Sequence, residues 1–356
     1  MTPKDKTKKK SHKIGRGSQL LCCTALLSCF MSISAAAQTT VHILDVGQGL
    51  SVLVESQGHT MLYDGGDSDR SSYTVSYLQQ HAVSSLDYVV ASHYDADHLN
   101  GIVGALNVFP AQTVWGPDYT TDTRIYQSFQ SVLAAKALTC TQPAVGSQYQ
   151  LGDAQIQILA PSGSDYDKPN DHSIALRIQD GNTSFLLTGD AEQESEAEML
   201  SSGLPLASTV YVAGHHGSST SSSREFVEAV RPEYAVISCG AGNPYGNPHK
   251  ETLETLQAVD ASIFRTDELG AIVVSTDGTA ITWTWEKEPP VLSEAHDTAA
   301  ASSDVSLSTV YWTPKRKSYH STRNCATLKR SKTILEGSLS DALAANKKDP
   351  CDVCVK

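Results

Sequence analysis

No stretch of this 356-residue chain is apolar for long enough to cross a bilayer: the longest runs from Leu20 to Ile33, against the roughly 20 residues that a span needs. The chain therefore reads as having no transmembrane segment once mature. Basic residues are scarce where a polyanion-binding body would need them. Residues 38–308 hold ten Lys or Arg against 34 Asp or Glu, so tight, unaided neutralisation of phosphates by this region is excluded. An even cysteine framework is also missing. Of eight cysteines, Cys22, Cys23 and Cys29 lie near the N-terminus, which leaves the odd set Cys140, Cys239, Cys325, Cys351 and Cys354. There is no internal repeat and no sustained heptad. With 40% hydrophobic residues, wholesale disorder is excluded as well.

The basic residues that do occur cluster at the two ends. Lys4, Lys6, Lys8, Lys9, Lys10, Lys13 and Arg16 precede the apolar run, which is followed by Ala35-Ala36-Ala37. That order of charge, apolar core and small residues predicts a signal peptide over residues 1–37 and a secreted or extracytoplasmic protein. Leu26-Leu27-Ser28-Cys29 leaves lipid anchoring at Cys29 open. At the other end, residues 309–356 carry ten basic against four acidic residues. Residues 288–308, rich in Ala, Ser, Asp and Pro, read as a linker between this module and a body at 38–287.

Within the body, short β-branched runs alternate with amphipathic stretches. Val41–Val46, Leu50–Glu55, Thr60–Tyr63, Leu86–Ala91 and Thr113–Trp115 predict strands, as do Gln155–Leu159, Ser173–Gln179, Thr183–Leu187, Thr209–Ala213, Tyr234–Ser238, Ala271–Ser275 and Ile281–Trp285. Tyr73–His81, Leu99–Val108, Ile125–Ala137, Glu192–Ser201, Ser222–Val230 and Lys250–Val259 predict helices. Hairpins early and late, with strand–helix alternation between them, predict an α/β (α+β) domain with a mixed pair of sheets and helices outside.

The chemistry concentrates in His93-Tyr94-Asp95-Ala96-Asp97-His98, directly after an apolar strand. Four metal-ligand side chains in six residues on a strand-to-helix turn can converge on one point. Ligand types recur at other strand ends: Asp190 after Thr183–Gly189, and His215-His216 after Thr209–Gly214. His172 precedes a strand, and His249 follows Tyr234–Ser238 after a Gly/Pro/Asn loop. A lone histidine is more often a hydrogen-bonded core residue, but together these positions suggest a binuclear metal site.

His93-x-Asp95-x-Asp97-His98 occurs with Leu44-Asp45-Val46-Gly47-Gln48-Gly49, Tyr63-Asp64-Gly65-Gly66, Leu187-Thr188-Gly189-Asp190, His215-His216-Gly217-Ser218 and Asn247-Pro248-His249. This set resembles the metallo-β-lactamase-fold hydrolases, in the branch related to the hydrolase domain of the competence protein ComEC. The resemblance covers roughly Val41 to Trp285 and implies an αββα sandwich with two divalent ions, zinc or manganese. It implies that His93 and Asp95 hold one ion, Asp97 and His98 the other, with Asp190 bridging and the His215-His216 pair completing the ligand set of the second ion. Asp64 would orient the ligand loop. The usual separate third histidine is not plainly marked; His172 stands where one could serve, with Asn170 as the alternative. Asp95 occupies a position that is His in the broad family, and the added carboxylate makes manganese a stronger competitor of zinc.

Such an ion pair lowers the pKa of a bridging water and implies hydrolysis. Asp97 or Asp190 would orient that water, and His216 or His249 would donate to the oxyanion or leaving group. The ComEC branch points to phosphodiesters, with DNA as the implied substrate of an exported nuclease. A small-molecule phosphodiesterase, a lactonase or β-lactamase-type hydrolase, and a non-catalytic binding protein are the alternatives.

In the C-terminal module, His320, Cys325, Cys351 and Cys354 offer a Cys₃His set for one structural zinc, with a Cys325–Cys351 disulfide as the alternative. The module looks like the small Ada-type metal-binding modules appended to exported nucleases. Its Lys and Arg residues make it the expected polyanion-binding surface, and it also offers a means of cell-wall or surface association. Cys140 and Cys239 read as buried thiols, or alternatively as a disulfide.

Overall fold

The computed structural model describes residues 39–287 and, beyond them, 310–314, 318–320, 323, 325–329, 331, 333–337, 349 and 350. The expected leader with Cys29, the linker at 288–308, and Cys351 and Cys354 lie outside the described residues. Two compact units divide between Pro290 and Val291.

The larger unit begins with strands β1 (Thr39–Ile43), β2 (Val52–Ser56) and β3 (His59–Tyr63), then α1 (Ser71–Gln80), β4 (Leu86–Val90), α2 (Ala96–Val108), β5 (Ala111–Trp115), α3 (Arg124–Lys136) and β6 (Cys140–Thr141). It continues with β7 (Gln148–Leu151), β8 (Ala154–Ala160), a 3₁₀ turn at Pro169–His172, β9 (Ala175–Asp180), β10 (Thr183–Leu187), α4 (Gln193–Ser201) and β11 (Val210–Val212). After the tight turn Gly214–Gly217 come α5 (Arg224–Val230), β12 (Tyr234–Ile237), α6 (Lys250–Gln257), β13 (Ser262–Arg265), α7 (Thr266–Leu269), β14 (Ile272–Thr276) and β15 (Ile281–Trp285). One sheet has the order β15-β14-β1-β2-β3-β4-β5-β6, the other β13-β12-β11-β10-β9-β8-β7.

Period-two alternation explains the layering. In β1 and β2, Val41, Ile43, Val52 and Val54 face the second sheet, where they meet Ile156, Ile178, Phe185, Leu187 and Val212 in one apolar layer. The alternate residues Leu53 and Leu62 pack outward against Leu78, Leu99, Ile102 and Phe129 of α1, α2 and α3. On the far sheet Leu186, Tyr211 and Ala235 likewise face Met199, Phe226, Val227 and Leu256 of α4, α5 and α6. Helices therefore cover both outer faces, and the expected αββα sandwich is the observed one. Among the described residues no helix is long and apolar enough to cross a membrane.

The structure differs from the sequence expectation at several edges. α2 starts at Ala96 rather than Leu99, because Asp95 takes an extended N-cap conformation and Asp97 and His98 fall in the first helical turn. Strands β6, β7 and β13 and helix α7, all of four residues or fewer, were not anticipated, since so short a segment carries too little periodicity to read. Cys239 is a buried free thiol, as expected, while the free thiol of Cys140 is only half-buried; no disulfide joins them.

The smaller unit pairs β16 (Val310–Trp312) with β17 (Ser318–His320) and β18 (Leu335–Gly337), and β17 with β19 (Asp349–Pro350). Cys325 Sγ and His320 Nδ1 both approach the hydroxyl of Thr327, at 3.2 and 3.5 Å.

One contact sets the depth of α2. A Cβ on Gly101 would lie 1.8 Å from the carbonyl oxygen of Gly65, while the Gly65 N–H donates to His98 O at 2.7 Å and the Gly101 N–H to Gly66 O at 3.1 Å. Gly101→Ala must push α2 off this loop. The expected cost is about 3 kcal/mol or more in a denaturant titration, and a loss well under ~1 kcal/mol would refute this close-packing account.

A second test concerns Glu196 of α4, which is buried and accepts hydrogen bonds from the backbone N–H groups of Ser222 and Ser223 at the start of α5. Burial pushes its carboxyl up to about 7. A carboxyl raised in the folded state stabilises at low pH and loses that contribution as pH climbs through the folded value. The stability of the wild type relative to Glu196→Gln should thus fall by on the order of 2 kcal/mol between about pH 5.5 and 8. A difference that stays constant with pH would contradict it.

Candidate active site

The parallel strands β4, β10, β11 and β12 come from two different sheets, yet the segments after all four run into one cleft. Each strand is buried and apolar over its last residues and turns polar where it ends, which projects ligand-type side chains past the core. After β4 come Ser92, His93 and Asp95, and α2 adds Asp97 and His98; after β10 comes Asp190, after β11 His215 and His216, and after β12 Ser238. The cleft is about 300 Å³ and is lined in part by Gln48, Asp95, Asp97, Asp190, His216 and His249.

Three histidines share one orientation, and its cause can be followed atom by atom. Asp64 is fully buried; its Oδ1 accepts from the Ser92 N–H at 2.8 Å and its Oδ2 from the Ser92 hydroxyl at 2.7 Å. The same Oδ2 lies 2.8 Å from His98 Nδ1, so that nitrogen carries the proton and donates. Because the Ser92 hydroxyl already gives its proton to Asp64, it accepts from His93 Nδ1 at 3.0 Å. His216 Nδ1 donates to the Ser238 carbonyl at 3.1 Å. All three rings are therefore held from behind, with Nε2 presented to the cleft.

With these rings neutral and the proton on Nδ1, the atoms that face their Nε2 lone pairs offer no donor. His98 Nε2 lies 3.3 Å from His216 Nε2 and 3.2 Å from Asp190 Oδ1, and His216 Nε2 lies 3.4 Å from Asp190 Oδ2 and 3.3 Å from Asp97 Oδ2. His93 Nε2 and Asp190 Oδ1 are buried and make no hydrogen bond at all. Lone pairs at this range repel unless a cation lies among them. Two overlapping donor groups, His93–His98–Asp190 and Asp97–His98–His216, each keep one ligand atom per residue within 4.8 Å of the others. The donor set, imidazole plus carboxylate, suits zinc or manganese, and the orphaned buried atoms fit a metal centre.

Without an ion, protons take over part of that task. Burial alone would lower His98, but Asp190, Asp64 and Asp97 drive it well above its ordinary value; His216 is likewise raised to about 9 by Asp190 and Asp97 against the effect of burial. In the reverse direction, Asp97 is held at about 2 despite burial by His98 and His216, and Asp190 falls well below the usual carboxylate range through His216 and His98. The turn that delivers the two adjacent histidines is strained: His215 and His216 hold φ of 51° and 56°, a left-handed region costly for non-glycine residues.

The remaining candidates occupy the margins. Asp95 Oδ2 is 3.7 Å from His93 Nε2 on an exposed carboxylate, and His215 Nε2 is 3.7 Å from Asp190 Oδ2. Of the adjacent histidines, His216 belongs to a donor group and His215 does not; His215 Nδ1 instead meets the Thr220 hydroxyl at 3.0 Å. His172 is packed against the rings of Tyr119 and Tyr166 and belongs to neither group. Asn170 Nδ2 sits 3.1 Å from Glu192 Oε1 and 3.5 Å from His215 Nδ1. His249 is a placed rim residue: its Nδ1 accepts from the Ser219 N–H at 2.9 Å, so its Nε2–H donates to the Tyr245 carbonyl at 3.1 Å.

Two contributors escaped the sequence. Ser92 relays Asp64 to His93, and no residue-type rule separates such a serine from its neighbours. Asp171 is buried and its Oδ1 accepts from the N–H groups of Glu192 and Ser195, fixing the start of α4 just beyond Asp190.

The metallo-beta-lactamase superfamily matches residues 44–241, more than half of the chain, and the chain belongs to that superfamily. Its branch is that of the ComEC-type competence proteins. It is 27% identical over 277 residues to ComE operon protein 3 of Bacillus subtilis (71% of this chain, 35% of that one) and 33% identical over 264 residues to Recombination protein 2 of Haemophilus influenzae (73% and 31%). Competence protein ComA of Neisseria gonorrhoeae is 33% identical over 253 residues, covering 69% of this chain and 34% of that protein. The chain thus spans about a third of the length of these relatives. Among solved structures, the metallo-beta-lactamase fold protein YhfI from Bacillus subtilis is similar at 15% identity with a TM-score of 0.43, over 64% of this chain and 96% of that one.

Asp64→Asn should leave the fold intact and release the His98 ring, since an amide cannot serve as the same all-acceptor hub. Metal affinity measured by calorimetric titration of zinc should fall roughly 10- to 100-fold. An unchanged affinity would refute the orienting role of Asp64.

Proposed function

We propose that the protein is an exported binuclear metal-dependent phosphodiesterase whose first substrate is DNA. The observation that carries this is the convergence of three pre-oriented Nε2 atoms with the carboxylates of Asp97 and Asp190 in one open cleft. Similarity to proteins named for competence and recombination supports nucleic acid as the substrate class. His93, Asp95, His98, Asp97, His216 and Asp190 would hold two ions, with His215 and His172 as further candidates. When bound, these ions supply Lewis acidity and activate a water molecule.

The chain's own groups then divide the work. Asp97, ionised and partly exposed in the cleft, would orient the attacking water. The His249 Nε2–H, now directed at a carbonyl on the rim, is the donor available to a phosphate oxygen or to the leaving group. Tyr245, 67% exposed beside it, offers a flat face on which an unpaired base can stack. Cleft carboxylates repel a polyanion, so substrate binding depends on the ions and on the basic C-terminal module. That module is proposed to bind one zinc through His320, Cys325, Cys351 and Cys354; the approach of both Cys325 and His320 to Thr327 supports it.

The test incubates the purified chain, with zinc and separately with manganese, against single- and double-stranded DNA, RNA, bis-nitrophenyl phosphate and a chromogenic β-lactam. Phosphodiester cleavage is expected, lost in Asp190→Ala with the circular dichroism spectrum retained. Tyr245→Ala should raise KM for single-stranded DNA about 5- to 100-fold with kcat nearly unchanged. Turnover of the β-lactam alone would overturn the phosphodiesterase assignment.

A further inference from the structure

Period-two alternation turns His42 of β1 toward the helical layer, between the inward-facing Val41 and Ile43. It is buried there beside Tyr77 of α1, at a kind of position that Leu53 and Leu62 fill in the neighbouring strands. A buried imidazole in an apolar layer costs free energy unless both nitrogens are satisfied. Nδ1 meets the Tyr77 hydroxyl at 3.0 Å, but Nε2 has no hydrogen-bond partner. Glu55 Oε2 on β2 is 3.0 Å from that Nε2 as an ion-pair contact whose direction fails hydrogen-bond geometry. The same carboxylate oxygen is 4.0 Å from Nδ1 of His81, the residue that caps the C-terminus of α1.

We propose that His42, Glu55 and His81 form a second divalent-metal site, of the His₂Glu type suited to zinc, separate from the cleft. One ligand atom from each lies within 4.8 Å of the other two. Tetrahedral zinc, with bonds near 2.0–2.2 Å, sets its donors roughly 3.3 Å apart, so the observed spacings need only a small shift of the exposed His81 ring. The Tyr77 oxygen can accept from His42 Nδ1–H, the usual way a ligating histidine is oriented from behind. Tyr77 also stacks on His81 with ring centroids 4.4 Å apart, which holds the third ligand over the site. Glu55 and His81 are partly exposed, leaving the fourth position to water. The site ties the end of α1 to two adjacent strands, a structural rather than hydrolytic role.

The experiment equilibrates the full chain with buffered micromolar zinc and counts bound metal by inductively coupled plasma mass spectrometry. His81→Ala and Glu55→Gln are compared with wild type, Asp190→Ala and the double variant His81→Ala/Asp190→Ala. Each single change at the new site should remove about one equivalent of zinc. Hydrolysis of bis-nitrophenyl phosphate and the circular dichroism spectrum should not change, and the loss should add to that of Asp190→Ala. Equal zinc content in wild type and both single variants would overturn the proposal and leave the trio as a plain ion-pair cluster.

Discussion

A single buried carboxylate organises the molecule's chemistry. Asp64 holds the backbone and hydroxyl of Ser92 and the ring of His98, and through Ser92 it reaches His93. A charge in a fully dry position is tolerated only when its lone pairs are filled, and here three donors fill them. The result is that two imidazoles on different elements, a loop and a helix, present the same nitrogen to the same space. Gly65 and Gly101 allow α2 to come close enough for this to happen, since the backbone of one occupies the volume where the other would carry a side chain.

The cleft is a concentration of opposing charges that only cations resolve. Asp97 and Asp190 face His98 and His216 at distances where neutral rings and carboxylates would repel, and in the absence of an ion the raised histidines act as the cations. Proton and metal therefore compete for the same nitrogens, and the strained turn at His215 and His216 is the structural cost of bringing the second sheet's ligand to the first sheet's.

Much of this was legible because strand-end position is a sequence property. The run from His93 to His98, Asp190 and the paired histidines each terminate an apolar run, and the structure gathers side chains from all three. Helix α2 began earlier than expected because periodicity starts at Leu99, whereas the cap that starts the helix is Asp95. His172 and His249 show the limit of position alone: one packs between Tyr119 and Tyr166 and the other binds the backbone of Ser219 and Tyr245 on the rim, and Tyr119 and Ser219 lie far away in sequence. Ser92, Asp171 and the outward-facing His42 escaped for the same reason, since a small polar residue in a loop, or one polar residue in an alternating strand, looks like surface.

The donors are shared between two layers of the sandwich. His93, Asp97 and His98 belong to the first sheet and its helix, Asp190 and His216 to the second. Neither layer holds a complete donor group by itself. A chain with only one sheet assembled has neither donor group of the cleft complete. Hydrolytic capacity in this architecture belongs to the assembled sandwich and to neither half of it.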